Sequence, residues 1–380
     1  MLPLSLYIHF PWCLRKCPYC DFNSYPSPQS AIPEAAYFTA LLADLEQDLP
    51  QIANRPLQSI FFGGGTPSLL SPATIEQLLT AIHHKLTLSP SIEITLEANP
   101  GTLDNSRCQA LRHAGINRLS LGIQSFDDTA LLQLGRIHNR QQAITAINLA
   151  KPAGFHNFNL DLMFGLPGQT VTAALTDLTT AVALAPPHLS WYQLTIEPHT
   201  AFYQQPPSLL PDEDTLWEIQ TQGQAYLADH HYPQYEISAY AQPSHRCQHN
   251  LNYWNFGDYL GIGAGAHSKL TAFNHQTISR FSKQSLPDRY LALAHTPQVI
   301  EHKTLLTKAD LSLEFMMNTL RLTDGFTLSQ FTTHTGLTVA DIAAPLQQAY
   351  LQGWLTRQGD NIRPTPLGMQ FLNRLLQLFM

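Results

Sequence analysis

Short apolar runs and stretches with helical spacing alternate along the first half of the chain. Leu4–Phe10, Leu57–Phe62, Ile92–Ala98, Arg118–Ile123, Asn157–Met163 and Leu189–Ile196 have the length and bounding turn residues of buried strands. Between them, Glu34–Leu49, a segment opening at Ser71-Pro72, one ending near Ala114, Ala143–Leu149 and Thr172–Leu184 place apolar residues at helical intervals. Ser71 is positioned as an N-cap with Pro72 behind it, and Gly115 as a helix stop. Six strands separated by helices predict right-handed βαβ units and a parallel sheet. The expected fold is α/β, a partial (β/α)6 barrel whose ligands sit at the C-terminal ends of the strands.

From about Gln204 the rhythm weakens. Tyr235–Ala241 and Tyr259–Leu270 read as two strands added beside the barrel. Beyond Ala309 the pattern runs helix, turn at Asp324-Gly325, helix, stop at Gly353, strand pair and final helix, which predicts a small helical, winged-helix-like domain. The chain therefore divides into a core over residues 1–235, a strand extension with a connecting segment over 236–305, and a C-terminal cap over 306–380.

Composition narrows the classes. The 380 residues are 44% hydrophobic and 13% charged, which is globular, and the length suits one large domain with a smaller one. A net charge of −7 without a basic run excludes charge-driven nucleic-acid binding. No stretch reaches the roughly 18 apolar residues of a spanning helix. The start, Leu2 to Trp12, lacks a basic leader and a cleavage site, so a cytoplasmic location is expected. There disulfides are rare, and three of the five cysteines fall within eight residues, a metal-binding pattern.

Those three are Cys13-x-x-x-Cys17-x-x-Cys20, directly after the first strand. Thiolates are the usual ligands of iron–sulfur iron. Three thiolates on a [4Fe–4S] cluster leave one iron open, which S-adenosylmethionine (SAM) can chelate through its amino and carboxylate groups. A zinc site short of one ligand is the competing reading. Tyr19 lies between two of the ligands, where an aromatic can give hydrophobic cover to the cluster. Gly63-Gly64-Gly65-Thr66 follows the second strand, where glycines let backbone approach a ligand closely. Glu97 ends strand three, Gln124 ends strand four, Asp161 lies near the end of strand five, and Arg136 falls in a following loop. Cys108, on a helix, reads as a structural thiol.

Further along, His249-Asn250-Leu251-Asn252-Tyr253-Trp254 joins an imidazole to two aromatics. Imidazole is a good axial ligand for haem iron, and aromatics pack on porphyrin faces. A histidine in a turn with Tyr253 and Trp254 in the core explains the same residues. Cys247 is an alternative thiolate ligand, and His267 a third candidate.

Taken together, YIHFPWC, CPYCDF, FFGGGTPSLL, LEANPG, GIQSF, LGRIHN, NLDLMFGLPGQ and HNLNYW resemble the HemW family, radical-SAM haem chaperones related to the oxygen-independent coproporphyrinogen III oxidase. The resemblance runs from Leu4 into the C-terminal cap. It implies a cluster on Cys13, Cys17 and Cys20, and SAM contacts at Tyr7, Tyr19, Gly64, Gly65, Thr66, Glu97, Gln124, Arg136 and Asp161. It also implies haem as cargo, with His249 as candidate ligand, and delivery to acceptor haemoproteins such as membrane respiratory complexes. Peripheral placement at the inner membrane through an acceptor and a homodimer are further expectations. The oxidase pattern continues CxxxCxxCxC, whereas Phe22 stands at the fourth cysteine here, and the chain starts six residues before Tyr7, without the oxidase's N-terminal arm. The alternative activity, oxidative decarboxylation of coproporphyrinogen III propionates, is disfavoured on both counts.

Overall fold

The computed structural model describes residues 2–52, 54–272 and 277–380. Six parallel strands form its centre: β1 (Leu4–Phe10), β2 (Leu57–Gly64), β3 (Leu88–Ala98), β4 (Arg118–Gln124), β5 (Asn157–Phe164) and β6 (His188–Gln193). Helices α1 (Glu34–Ile52), α2 (Pro72–Lys85), α3 (Asn105–His113), α4 (Arg140–Ala150) and α5 (Val171–Ala183) make the crossovers, and α6 (Glu213–Asp229) follows β6. The expected cap is present, since the Ser71 side chain accepts from the Thr74 amide. Gly115 takes a left-handed φ of 109° just past α3, the conformation a stop requires.

The strand residues alternate. Leu4, Leu6, Ile8 and Phe10 are buried under the helices, while Ser5, Tyr7 and His9 belong to the opposite face. On the neighbouring strands Ser59, Glu93, Asn159 and His188 are likewise buried polar residues. The barrel is thus greasy outside, beneath its helices, and polar inside.

The sheet continues on both flanks, in the order β12-β11-β10-β9-β1-β2-β3-β4-β5-β6-β8-β7. Here β7 is Gln234–Glu236, β8 Ala239–Ala241, β9 Asp258–Ile262, β10 His267–Thr271, β11 Ile278–Lys283 and β12 Ile300–Leu305. The barrel is therefore partial, as expected, with β9 parallel to β1 and β8 antiparallel to β6. Two expected single strands are hairpins instead. Tyr235–Ala241 splits into β7 and β8, and Tyr259–Leu270 into β9 and β10, because Gly263 and Gly265 take φ of 104° and 78° and reverse the chain. Strand six also ends at Gln193 rather than Ile196, since Leu194 turns away to pack with Met163, Leu166 and Phe202.

A fully buried ion cluster ties the extension to the first helix. Lys283 Nζ lies 2.5 Å from Asp44 and 2.6 Å from Asp48 of α1, and Asp44 also accepts from Tyr290 and from the Gly263 amide. Between β8 and β9 runs a short helix, α7 (Gln248–Trp254), which carries the HNxxYW residues.

The C-terminal part has its own apolar cluster around Phe315, Phe331, Ile342, Ile362 and Leu375. It contains α8 (Lys308–Thr319), further helices at Leu328–Thr335 and Ala343–Leu351, and a three-stranded sheet from Phe326–Thr327, Leu355–Gln358 and Asn361–Pro364. Gly353 stops the helix at Ala343–Leu351 with a φ of 70°.

Candidate functional site: a cysteine-loop cavity at the strand ends

The cysteine loop leaves the top of β1 and is tied back to it. Tyr25 donates its amide to the Pro11 carbonyl at 2.7 Å, and Ser27 to that of Cys13 at 2.9 Å. His9 Nε2 bonds the Asn23 carbonyl at 2.8 Å. A carbonyl only accepts, so the ring carries its proton on Nε2, and its Nδ1 accepts from the Tyr7 hydroxyl. Burial holds His9 neutral, down at about 4. The Asn23 side chain then reaches across to the carbonyls of Ala264 and Ser285, at 3.0 and 2.8 Å, latching the loop to the sheet extension.

Cys13 is buried, and Cys17 and Cys20 are half-buried. Desolvation and the two neighbouring cysteines push the Cys13 thiol up to about 11, and desolvation raises Cys20 as well. Without iron, Cys13 and Cys20 therefore keep their protons, and iron has to displace them.

The glycines also serve the packing of the loop itself. The Gly65 amide bonds the Phe10 carbonyl at 2.6 Å, and the Thr66 amide the Trp12 carbonyl at 2.8 Å. A Cβ at Gly65 would overlap the Trp12 carbonyl oxygen. The GGGT turn is thus packed against the cysteine loop's own backbone. Gly64, at φ 112°, gives its amide to Glu97 Oε2 at 3.2 Å.

Glu97 and Asp161 are the acidic pair of this site. Desolvation, then the Asp161 charge, pushes Glu97 up to about 8. Asp161 is raised by desolvation too, although Asn159 and Ser120 donate to it at 2.7 and 3.0 Å. Gln124 sits at φ 70°, a strained conformation for a residue with a side chain. Its Oε1 accepts from the Tyr192 hydroxyl at 2.8 Å. Arg136 donates to the Gly122 carbonyl at 2.7 Å and to the Asn99 side chain, and its Nη1 lies 3.6 Å from Cys17 Sγ.

These groups line one cavity of about 450 Å3. Cys13, Cys17, Tyr19, Cys20, Gly64, Gly65, Thr66, Glu97, Gln124, Arg136 and Asp161 all open onto it. Phe22 stands at its exposed rim. Tyr7 is not on the wall; it lies behind it, bonded to His9 and packed beside Phe61. Asn99 and Gly122 line the cavity from within LEANPG and GIQSF without being singled out there, and Ser190 and Tyr192 line it outside any motif. The signal for the last two is weak: polar residues two apart along a strand with a buried face, Ser190 with Tyr192.

The HNxxYW residues approach from the opposite side. Asn250 and Trp254 line the same cavity, but His249 does not. Its ring packs 4.9 Å from Phe61, and its Nδ1 lies 2.9 Å from Ser59 Oγ. Ser59 spends its only proton on Ser5 Oγ, so His249 Nδ1–H is the donor and Nε2 keeps its lone pair. Burial lowers this imidazole to about 3. Cys247 is fully buried, its thiol 3.4 Å from Glu93 and pushed up to about 12 by desolvation. His267 is exposed at the start of β10, and Cys108 is buried in the core.

Among the described residues, no three His, Cys, Asp or Glu side chains converge on one metal ion. Each cysteine of a four-iron cluster binds a different iron, so thiols spread along a cavity mouth fit a cluster better than a zinc ion. The chamber also fits a cationic amino-acid nucleoside: two half-buried carboxylates face it, and Arg136 Nε is buried without a partner. No helix among the described residues is long and apolar enough to cross a membrane.

The description "Radical SAM superfamily" matches residues 7–176, and "HemN C-terminal domain" matches 306–371. The chain is 50% identical to "Heme chaperone HemW" of Haemophilus influenzae and 47% identical to that of Escherichia coli, covering 100% of this chain and 98% of each relative. The Bacillus subtilis protein of the same name is 39% identical over 70% of this chain and 71% of its own. The solved structure of the Escherichia coli coproporphyrinogen III oxidase HemN shares the fold, with a TM-score of 0.83 at 23% identity, covering all of this chain and 90% of that one. With identity at this level along its whole length, the chain belongs to the HemW family of radical-SAM proteins.

Proposed function

We propose that this protein is a haem chaperone, which binds haem and delivers it to acceptor haemoproteins such as respiratory enzymes. The full-length match to proteins named heme chaperone carries the reading. In it, Cys13, Cys17 and Cys20 hold a [4Fe–4S] cluster, and the cavity behind them holds SAM. When bound, these two supply one-electron chemistry.

The chain's own residues do the holding. Arg136 places a fixed positive charge 3.6 Å from Cys17 Sγ, complementary to the thiolate-bound cluster that this cysteine would help hold. Glu97 and Asp161 offer negative charge to the ammonium and sulfonium of SAM. Gly64, Gly65 and Thr66 keep the cysteine loop at a fixed height over the barrel. Tyr19 covers the cavity beside the cluster, and Gln124, fixed by Tyr192, presents its amide. Tyr7 acts at one remove, by orienting His9. His249, with its free Nε2, is the candidate haem ligand. The protein works in the cytoplasm and meets membrane-bound acceptors peripherally, as a monomer or homodimer.

The test is a paired assay on anaerobically reconstituted protein with SAM and reductant, one sample given haem and the other coproporphyrinogen III. Stable haem binding without a vinyl product is expected. Catalytic formation of protoporphyrinogen refutes the chaperone reading in favour of the oxidase.

A further inference from the structure

The helix with the HNxxYW residues is wedged into the N-terminal end of the barrel, on an anchor that no motif names. Glu93, on β3, is 6% exposed and faces inward. Its carboxylate accepts from the amides of Gln248 and His249, both at 3.1 Å, and from the Cys247 thiol at 3.4 Å. Arg118, itself buried, lies 3.9 Å away on β4. Further along α7, Asn252 donates to Ser5 Oγ and to the Asp258 carbonyl, at 2.9 and 2.8 Å. At its far end the Asn255 carbonyl accepts from Gln330 and His334 of the C-terminal part, and the Arg321 guanidinium lies 4.3 Å over the Trp254 ring.

Two consequences follow from this docking. His249 is half-buried between Phe61 and Tyr7 inside the barrel and does not line the cavity, so its Nε2 is open to small molecules but a macrocycle many times wider than the imidazole has no room to seat over it. Asn250 and Trp254, on the same seven-residue helix, form part of the cavity wall. The helix cannot turn His249 outward and leave that wall in place.

We propose that Glu93 is the positioning residue that seats this helix, and that haem reaches His249 only when the helix leaves Glu93 as a unit, opening the wall of the cavity in the same movement. This rests on the haem-chaperone reading. Haem-loaded protein and a closed cavity then exclude each other, so SAM bound in the closed cavity opposes haem uptake and haem uptake loosens SAM.

Amide hydrogen exchange over residues 247–255, on full-length reconstituted protein with and without haem, tests the movement. Exchange there should accelerate by more than about tenfold on haem loading. Haem bound, as read from its absorption band, with unchanged exchange in this segment overturns the proposal while leaving the chaperone reading intact. Failure to bind haem at all overturns both. Glu93→Gln supplies the second arm, with circular dichroism checking that it is folded. Weakening the seat should make haem association faster, by at least about tenfold, the factor for one charge-assisted hydrogen bond. A merely structural role would slow it, and a folded variant with slower or unchanged uptake removes Glu93 as the seat.

Discussion

SAM binding should release a proton, because Glu97 is largely protonated before SAM arrives. Burial and the nearby Asp161 hold its carboxyl at about 8. If the ammonium or sulfonium of SAM pairs with the ionised form, apparent affinity follows the ionised fraction. That fraction rises about ninefold from pH 6 to 7, about fivefold from 7 to 8, and less than about twofold from 8 to 9. Near pH 7 about 0.9 proton should leave per SAM bound. Calorimetric titrations in phosphate and in Tris, buffers with different ionisation heats, read that number directly. The same group predicts a stability trend. Its folded value lies above its ordinary one, so SAM-free protein has this contribution in full below about pH 4.5 and loses it as pH rises towards 8, by roughly 3–5 kcal/mol in all. SAM should therefore stabilise the protein more at pH 8 than at pH 6, and Glu97→Gln should flatten both dependences. A dissociation constant flat between pH 6 and 8, with heats independent of buffer, would refute the reasoning.

Three further outcomes are expected. Lys283→Met strands Asp44 and Asp48 as unpaired buried charges, and urea unfolding should show a loss of about 3–5 kcal/mol; a loss below about 1 kcal/mol would mean the carboxylates simply take up protons. Replacing Cys13, Cys17 and Cys20 by serine should abolish the visible absorbance of the reconstituted cluster, and a variant with full absorbance would sink the ligand assignment. Gly65→Ala drives a methyl into the Trp12 carbonyl and should cut iron content per chain by more than about half while secondary structure stays intact; unchanged iron content would show that the loop tolerates displacement.

Much of this was legible in the sequence, for identifiable reasons. Strand β1 runs from Leu4 to Phe10 as its apolar run does, and the cap at Ser71 is local chemistry that any context preserves. The cysteine loop, GGGT and strand-end polar groups converge because parallel βα units bring strand ends together whatever lies between. What stayed hidden depends on distant partners. Gly263 and Gly265 lie inside what reads as one strand, and only their positive φ makes it a hairpin. Tyr7 falls behind the cavity because its hydroxyl is committed to His9. Glu93 looks like any charged residue near the start of a strand, although it lies four residues before Glu97 and hence on the same face. The hydrogen bond of His249 to Ser59, 190 positions away, leaves no trace in HNxxYW.

The Asn23 latch carries a consequence in time. The cysteine loop leaves the ribosome well before the carbonyls that hold it, which belong to Ala264 and Ser285, the latter 262 residues later. At roughly 5–20 residues per second, the nascent loop waits about 13–50 s before its clasp exists. Throughout that interval the three thiols hang on an unfastened loop, and the inner strand β1 still lacks its partner β9. Iron and sulfide delivered during translation would meet a pliable acceptor; delivered after release, they would meet a fastened one.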